Sequence, residues 1–157
     1  MPETLTKSWA KQVLEEHREL RKKVKGLREY ICEPRPAVGE EGAHSWAANL
    51  ASQLVNLHDE LVRHFRFEDE SGMVEDVAEK HPRALVRAEE LVDEHPQMLK
   101  ELRRLMAEAL DYSEGHPPED CPLRRGVCAL LNQLEEHERE ENDLIVSLEY
   151  QDLGTKG

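Results

Sequence analysis

The chain has 157 residues, of which 35% are charged and 4% are aromatic, and its formal net charge is -13 at pH 7. Such an acidic surface repels phosphate backbones and anionic bilayers, so we expect neither a nucleic acid nor a membrane as partner. The sequence has no apolar run of signal-peptide length at its start and none long enough to span a bilayer, which predicts a cytoplasmic location. The length fits one domain over residues 1–157 with a core of its own.

Four long helices are predicted, because Leu, Glu, Ala and Arg dominate the composition and no alternating strand pattern is convincing. Proline and glycine pairs separate the helices, and Ser45 and Asp120 are candidate caps. Residues 73–80 are expected to add one or two further turns, and Pro96 is expected to kink the third helix. The predicted helices run from near Thr4 or Thr6 to Cys32, from Ser45 to Glu68, from His81 to Tyr112, and from Pro122 to Tyr150.

Histidine occupies the apolar seam of every predicted helix. In the second and fourth helices, leucines at alternating steps of four and three lead into a His-x-x-x-Glu pair. The first and third helices each place one histidine in the same kind of position. The residues concerned are His17, His64, Glu68, His95, His137 and Glu141.

Buried imidazoles and carboxylates are costly unless they are paired or bind a metal. Short connections imply antiparallel neighbours, which would bring the four mid-helix histidines to a similar depth in an up-down-up-down bundle. A step of four residues places the His and Glu of each pair on one helix face. Four imidazoles and two carboxylates suit two metal ions with two His each and two bridging carboxylates.

This pattern resembles the hemerythrin-like, HHE cation-binding domains, and the resemblance covers the chain from His17 to Glu141. It implies an all-α four-helix bundle with two iron ions in an oxo- or hydroxo-bridged centre, with zinc or manganese as less favoured metals. By that resemblance His17 and His64 bind one iron, His95 and His137 bind the other, and the two glutamates bridge them. It also implies a small diatomic ligand, O2 or NO, as the partner.

The sequence departs from the oxygen-carrying hemerythrins on the third and fourth helices. Those proteins have His-x-x-x-His on the third helix, whereas His95 has Leu91 and Leu99 at the corresponding spacings. Their fourth helix has an aspartate at i+5 where this chain has Glu141 at i+4. We therefore expect a more open site that binds O2, NO or an oxygen-derived ligand in sensing or stress response. A peroxide- or NO-reducing enzyme and an iron-buffering or structural metal protein are the alternatives, so the sequence leaves both an enzymatic and a non-enzymatic role open.

The remaining polar residues are interpreted as structural or solvated. His58 is expected at a helix boundary, and His44, His81 and His116 in loops or at helix starts. The acidic neighbours of the two seam glutamates are expected on solvated faces; they are Asp69, Glu70, Glu138 and Glu140. Leucines are candidate walls of an apolar pocket beside the metals: Leu61, Leu91, Leu99 and Leu134. The three cysteines lack a Cys-x-x-Cys pair and are taken as reduced.

Overall fold

The structure of the protein, a computed structural model, describes residues 8–32, 42–114 and 122–154. Within these ranges it consists of helices and contains no strand, which confirms the predicted all-α class. Five α-helices and one short 3-10 turn follow one another in these described ranges. They are α1 (Ser8–Cys32), α2 (Ala43–Glu70), α3 (Met73–Lys80), the 3-10 turn (Pro82–Ala84), α4 (Leu85–Ser113) and α5 (Pro122–Gly154).

Two of the helix starts differ from the predicted ones. The residue before α2 is Gly42, with φ 92°, so Ser45 lies inside the first turn and does not cap the helix. The third long helix begins at Leu85, because His81 ends α3 and Pro82 starts a 3-10 turn. Pro96 lies inside α4, as predicted, and the kink expected there stays a prediction. The expected start at Thr4 or Thr6 and the cap at Asp120 lie outside the described residues.

The four long helices are antiparallel to their neighbours, in the order α1, α2, α4, α5 around the bundle. Contacts between neighbours show this direction, because residue numbers rise on one helix as they fall on the next. The pairs include Lys23 with Glu60, Phe65 with His95, Glu94 with His137, and Arg28 with Glu135. This is the up-down-up-down arrangement expected from the sequence.

Apolar regions at the two ends of the bundle leave a polar layer between them. The larger one fills the end of the bundle where Trp46 packs between Tyr30 and Tyr112. A smaller one at the other end joins α3 to α4 and α5, and there Nε1 of Trp9 donates to Asp76 at 2.8 Å. The four seam histidines and two seam glutamates lie in the layer between these regions, and Glu68 belongs to the last turn of α2.

Helix α3 folds back against the bundle directly after α2. Gly72 separates them with φ 86°, a conformation that glycine adopts without strain. Ser71 assists the turn, since its hydroxyl donates to the carbonyl of Glu68 at 2.6 Å and accepts from the amide of Met73. Met73 and Val77 are thereby buried over that end of the bundle. In the described part of the chain no helix has the length and apolar character that a membrane span requires.

Candidate metal centre

The six residues singled out from the sequence lie together in the centre of the bundle. Each of them is at most 2% exposed, which is a degree of burial that ionisable groups show only when something compensates their charge. Their donor atoms form two overlapping groups that share both carboxylates, and within each group the atoms lie within 4.8 Å of one another. The groups are His17, His64, Glu68 and Glu141, and Glu68, His95, His137 and Glu141.

The first group joins α1 and α2 to the two shared glutamates. Nε2 of His17 lies 3.1 Å from Oε1 of Glu141 and 3.7 Å from Oε2 of Glu68. Nε2 of His64 lies 3.0 Å from Oε1 of Glu68, its neighbour at i+4 on the same helix. All of these nitrogen and oxygen atoms therefore face one small volume.

The second group repeats this arrangement on α4 and α5. Nε2 of His137 lies 3.1 Å from Oε2 of Glu141 and 3.1 Å from Nε2 of His95. Nε2 of His95 lies 3.5 Å from Oε1 of Glu68 and 3.5 Å from Oε2 of Glu141. Each glutamate thus faces both pairs of histidines, which is the placement that a bridging carboxylate requires.

The outer nitrogen of each imidazole is held by an oxygen of another side chain. Nδ1 of His17 donates to Asn142 at 2.7 Å, and Nδ1 of His64 donates to Glu16 at 2.6 Å. On the other two helices, Nδ1 of His95 donates to Asp69 at 2.9 Å and Nδ1 of His137 donates to Glu94 at 2.7 Å. Because an oxygen of this kind accepts and cannot donate, these contacts place the hydrogen on Nδ1. When the rings are neutral, the four Nε2 atoms consequently carry lone pairs toward the centre.

The centre therefore contains acceptors without donors. Both oxygens of Glu68, both oxygens of Glu141 and the Nε2 atoms of His17 and His64 are buried and lack hydrogen bonds of good geometry, although oxygen and nitrogen lie about 3 Å apart. Converging lone pairs at such distances repel one another unless a cation or added protons lie among them. Histidine and carboxylate are the donor types that divalent transition metals prefer. The residues present fit a metal site.

The shifted pKa values of these residues also indicate that the site favours positive charge. Burial lowers the pKa of His17, but the nearby carboxylates of Glu141 and Glu68 favour its protonated form, outweigh burial and raise the pKa to about 10. For His137 burial is likewise outweighed, chiefly by Glu141, and the pKa rises to about 9. Burial would raise the pKa of Glu141, yet contacts with three histidines hold it well below its usual value. Without a metal, the site therefore attracts protons to its imidazoles.

Phe65 is a neighbour of the site that the sequence analysis did not identify. Its ring stacks on His95, with centroids 4.0 Å apart and planes at 4°, and it also meets the edge of His137. It follows His64 directly and lies at i+4 from Leu61, so its position continues the apolar seam. A search of the seam for aromatic residues beside the histidines would have found it.

The acidic neighbours of the seam glutamates are not all solvated. Glu138 is 3% exposed, and burial raises its pKa to about 7, so its expected place on a solvated face was wrong. It lines a groove of about 200 Å³ between α1 and α5, next to Asn142. Asp69 is exposed but holds His95, and Glu140 pairs with Arg87. Glu70 is exposed, as expected.

The other described histidines stand apart from the two donor groups. His58 is half-buried and faces Asp59, His44 is exposed and contacts the carbonyl of Ser113, and His81 ends α3. His116 and Cys121 lie outside the described residues, while Cys32 and Cys128 are free thiols. Of the expected apolar walls, Leu61, Leu91 and Leu134 are buried and Leu99 is partly buried.

The comparison with known families agrees with this site. The family model of the hemerythrin HHE cation binding domain matches residues 10–148, nearly the whole chain. No significant match was found among curated proteins or among solved structures. The chain belongs to the hemerythrin HHE cation-binding family, as its resemblance to that family predicted. Its buried histidines and glutamates form a cluster that fits the binding of metal cations.

Proposed function

We propose that the protein holds two iron ions in this cluster and binds O2, NO or an oxygen-derived small molecule there, in oxygen or redox sensing or in a stress response. The observation that carries the proposal is the convergence of buried, unpartnered donor atoms from six residues. One ion would lie between His17 and His64, and the other between His95 and His137. Glu68 and Glu141 face both positions and would bridge them.

The donor set favours iron among the candidate metals. Two imidazoles with carboxylate oxygen at each position match the donors of non-haem iron sites that keep positions open for small molecules. The donor types alone would also serve zinc or manganese, and membership of the hemerythrin family favours iron. Iron in such a site supplies redox chemistry and an open position for a small ligand.

The residues of the chain provide the surroundings that this function needs. Outer hydrogen bonds fix each imidazole with Nε2 toward the centre. Apolar side chains such as Phe65 and Leu61 limit water near the site. A groove of about 360 Å³ between α1 and α2 reaches His64 from the surface and offers a small molecule a short route inward.

The test is elemental analysis of protein purified without added metal, combined with absorption spectra before and after exposure to O2 or NO. We expect close to two irons per chain and a spectrum that responds to the gas. His64→Ala and Glu68→Ala should lose iron, whereas His44→Ala, which changes an exposed histidine far from the cluster, should keep it. Equal iron content in all three variants would overturn the assignment.

The same preparation separates binding from catalysis. Sustained consumption of peroxide or NO by the iron-loaded protein would replace a sensing role by an enzymatic one. Equal uptake of zinc or manganese without any response to gases would indicate a buffering or structural metal protein. A reversible spectral change without turnover is the result expected for a sensor.

A further inference from the structure

We propose that the two metal positions are inequivalent. The first position lies between His17 and His64, and the second position lies between His95 and His137. The second position binds metal before the first and holds it more tightly, and the first position is the labile one. This inference rests on the proposed two-metal function, and it concerns the order and strength with which the two ions bind.

The first observation is a difference in the outer partners of the four imidazoles. Carboxylates accept the hydrogen bond from three of them, through Glu16, Asp69 and Glu94, whereas His17 donates to the neutral amide of Asn142. A carboxylate in that position makes the imidazole a stronger donor to metal than a neutral acceptor does. The second position thus has two strengthened imidazoles and the first position has one.

Neighbouring charges do not remove this difference. Arg87 contacts Glu94 at 3.3 Å, but through the oxygen that does not face His137, and it also pairs with Glu140 and Glu90. The guanidinium is therefore shared among three carboxylates. Glu138 places a buried carboxyl near the first position, yet both nitrogens of His17 face other partners, so Glu138 does not strengthen that ring directly.

The second observation is the packing of the helices that carry each position. The grooves described beside the bundle run along α1, between α1 and α2 or between α1 and α5, with volumes of about 200 to 360 Å³. By contrast, α4 and α5 are in contact along their length. A Cβ added to Gly126, at the end of the bundle away from α3, would lie 2.7 Å from Cδ2 of Leu105, and beside the metal position Glu94 contacts His137 and Arg87 contacts Glu140. Since α1 contributes the single donor His17, a small movement of α1 opens the first position and leaves the second intact.

The test is an anaerobic titration of metal-free protein with Co²⁺, followed by its absorption bands and by calorimetry. We expect two resolved steps of one ion each. Asn142→Asp supplies the missing carboxylate and should raise the affinity of the weaker step by about 10 to 100-fold, without change in the tighter step. Glu94→Gln and Asp69→Asn should weaken the tighter step by a similar factor.

The matched control is Asn132→Asp, which adds the same charge at an exposed position of α5 and should change neither step. Two ions bound with equal affinity by the wild-type protein would overturn the inference and leave the two-metal function standing. A change in the tighter step caused by Asn142→Asp would overturn it as well. Uptake of fewer than two Co²⁺ ions by the wild-type protein would instead contradict the two-metal function itself. If Asn142→Asp fails to fold, the Glu94 and Asp69 variants decide the question.

Discussion

The Nε2 atoms of His95 and His137 lie 3.1 Å apart in the buried centre of the bundle. Each ring donates from Nδ1 to a carboxylate, so when both rings are neutral their Nε2 atoms point lone pairs toward each other. The folded chain holds these groups together at an energetic cost, which a bound cation would offset. Folding of this protein and metal binding should therefore be coupled.

Removing the metal is expected to destabilise the protein. A metal that binds the folded state alone stabilises it by about 4 kcal/mol at a free concentration of about 1,000 times its Kd. For a chain of this size that corresponds to a rise in Tm of roughly 8 to 16 °C. The measurement is thermal unfolding of metal-free and iron-loaded protein at pH 7. The control is Glu68→Ala, whose Tm should respond little to iron; equal Tm for both wild-type forms would contradict the prediction.

The metal-free protein is expected to lose stability as the pH rises above neutrality. The pKa values of His17 and His137 are about 10 and about 9 in the folded protein, above the ordinary value of 6.5. Folding therefore favours their protonated forms, and this stabilisation is complete below pH 6.5 and disappears as the pH rises through 9 to 10. Urea unfolding of metal-free protein between pH 6.5 and 10 measures the change.

The iron-loaded protein, in contrast, should lose its iron as the pH falls below neutrality. Imidazole binds metal only in its neutral form, so protons compete with the metal and acid releases it. Iron retained after dialysis at a series of pH values gives the comparison. Constant stability of the metal-free protein from pH 6.5 to 10 would show that its imidazoles are not protonated in the folded state.

The residues that converge in the centre could be read from the sequence because helical periodicity determines them. His64 and Glu68 lie four residues apart on an apolar seam, so their common direction follows from helix geometry alone. Short connections then bring α4 and α5 into the same layer. The family resemblance and the helical class followed from these positions, and both are confirmed by the family match and the fold.

The side chains that accept hydrogen bonds from Nδ1 of the histidines could not be predicted in the same way, because they depend on contacts between helices. Asp69 holds His95 on another helix, and Asn142 holds His17 across the α1–α5 interface. Glu138 is adjacent to His137 in a run of acidic residues, and such runs are usually exposed. Its burial depends on how α1 packs beside α5, which helical periodicity does not specify.

Replacing Glu138 by glutamine is expected to stabilise the metal-free protein at alkaline pH. Burial raises the pKa of this carboxyl to about 7 from an ordinary 4.5, so ionisation costs more in the folded protein than in the unfolded chain. That cost begins to grow as the pH rises above 4.5 and is complete once the pH has passed through 7. Glu138→Gln removes it and should add about 1 to 3 kcal/mol to the free energy of unfolding at pH 8, with little effect at pH 4.5.

Urea unfolding at the two pH values checks the effect of this substitution. Glu136→Gln is the matched control, because its side chain lies two residues away on the same helix and is 57% exposed. It should change stability little at either pH. A Glu138→Gln protein that is less stable than wild type at pH 8 would show that the carboxylate is compensated by a neighbour.

Phe65 is expected to stabilise the fold and to position His95 without holding the metal. The ring is 2% exposed and stacks on the imidazole, so Phe65→Ala leaves a cavity beside the site and removes an aromatic contact. We expect a loss of about 3 to 5 kcal/mol in the free energy of unfolding, and a smaller loss for Phe65→Leu, which refills part of the volume. Phe67→Ala, a change at a partly buried residue on the same helix, should cost less stability than Phe65→Ala.

Urea unfolding measures these losses of stability, and iron analysis should still find metal in Phe65→Leu because every donor atom remains. Loss of iron from that variant at full folding would instead show that the stacked ring is needed to keep His95 directed at the metal.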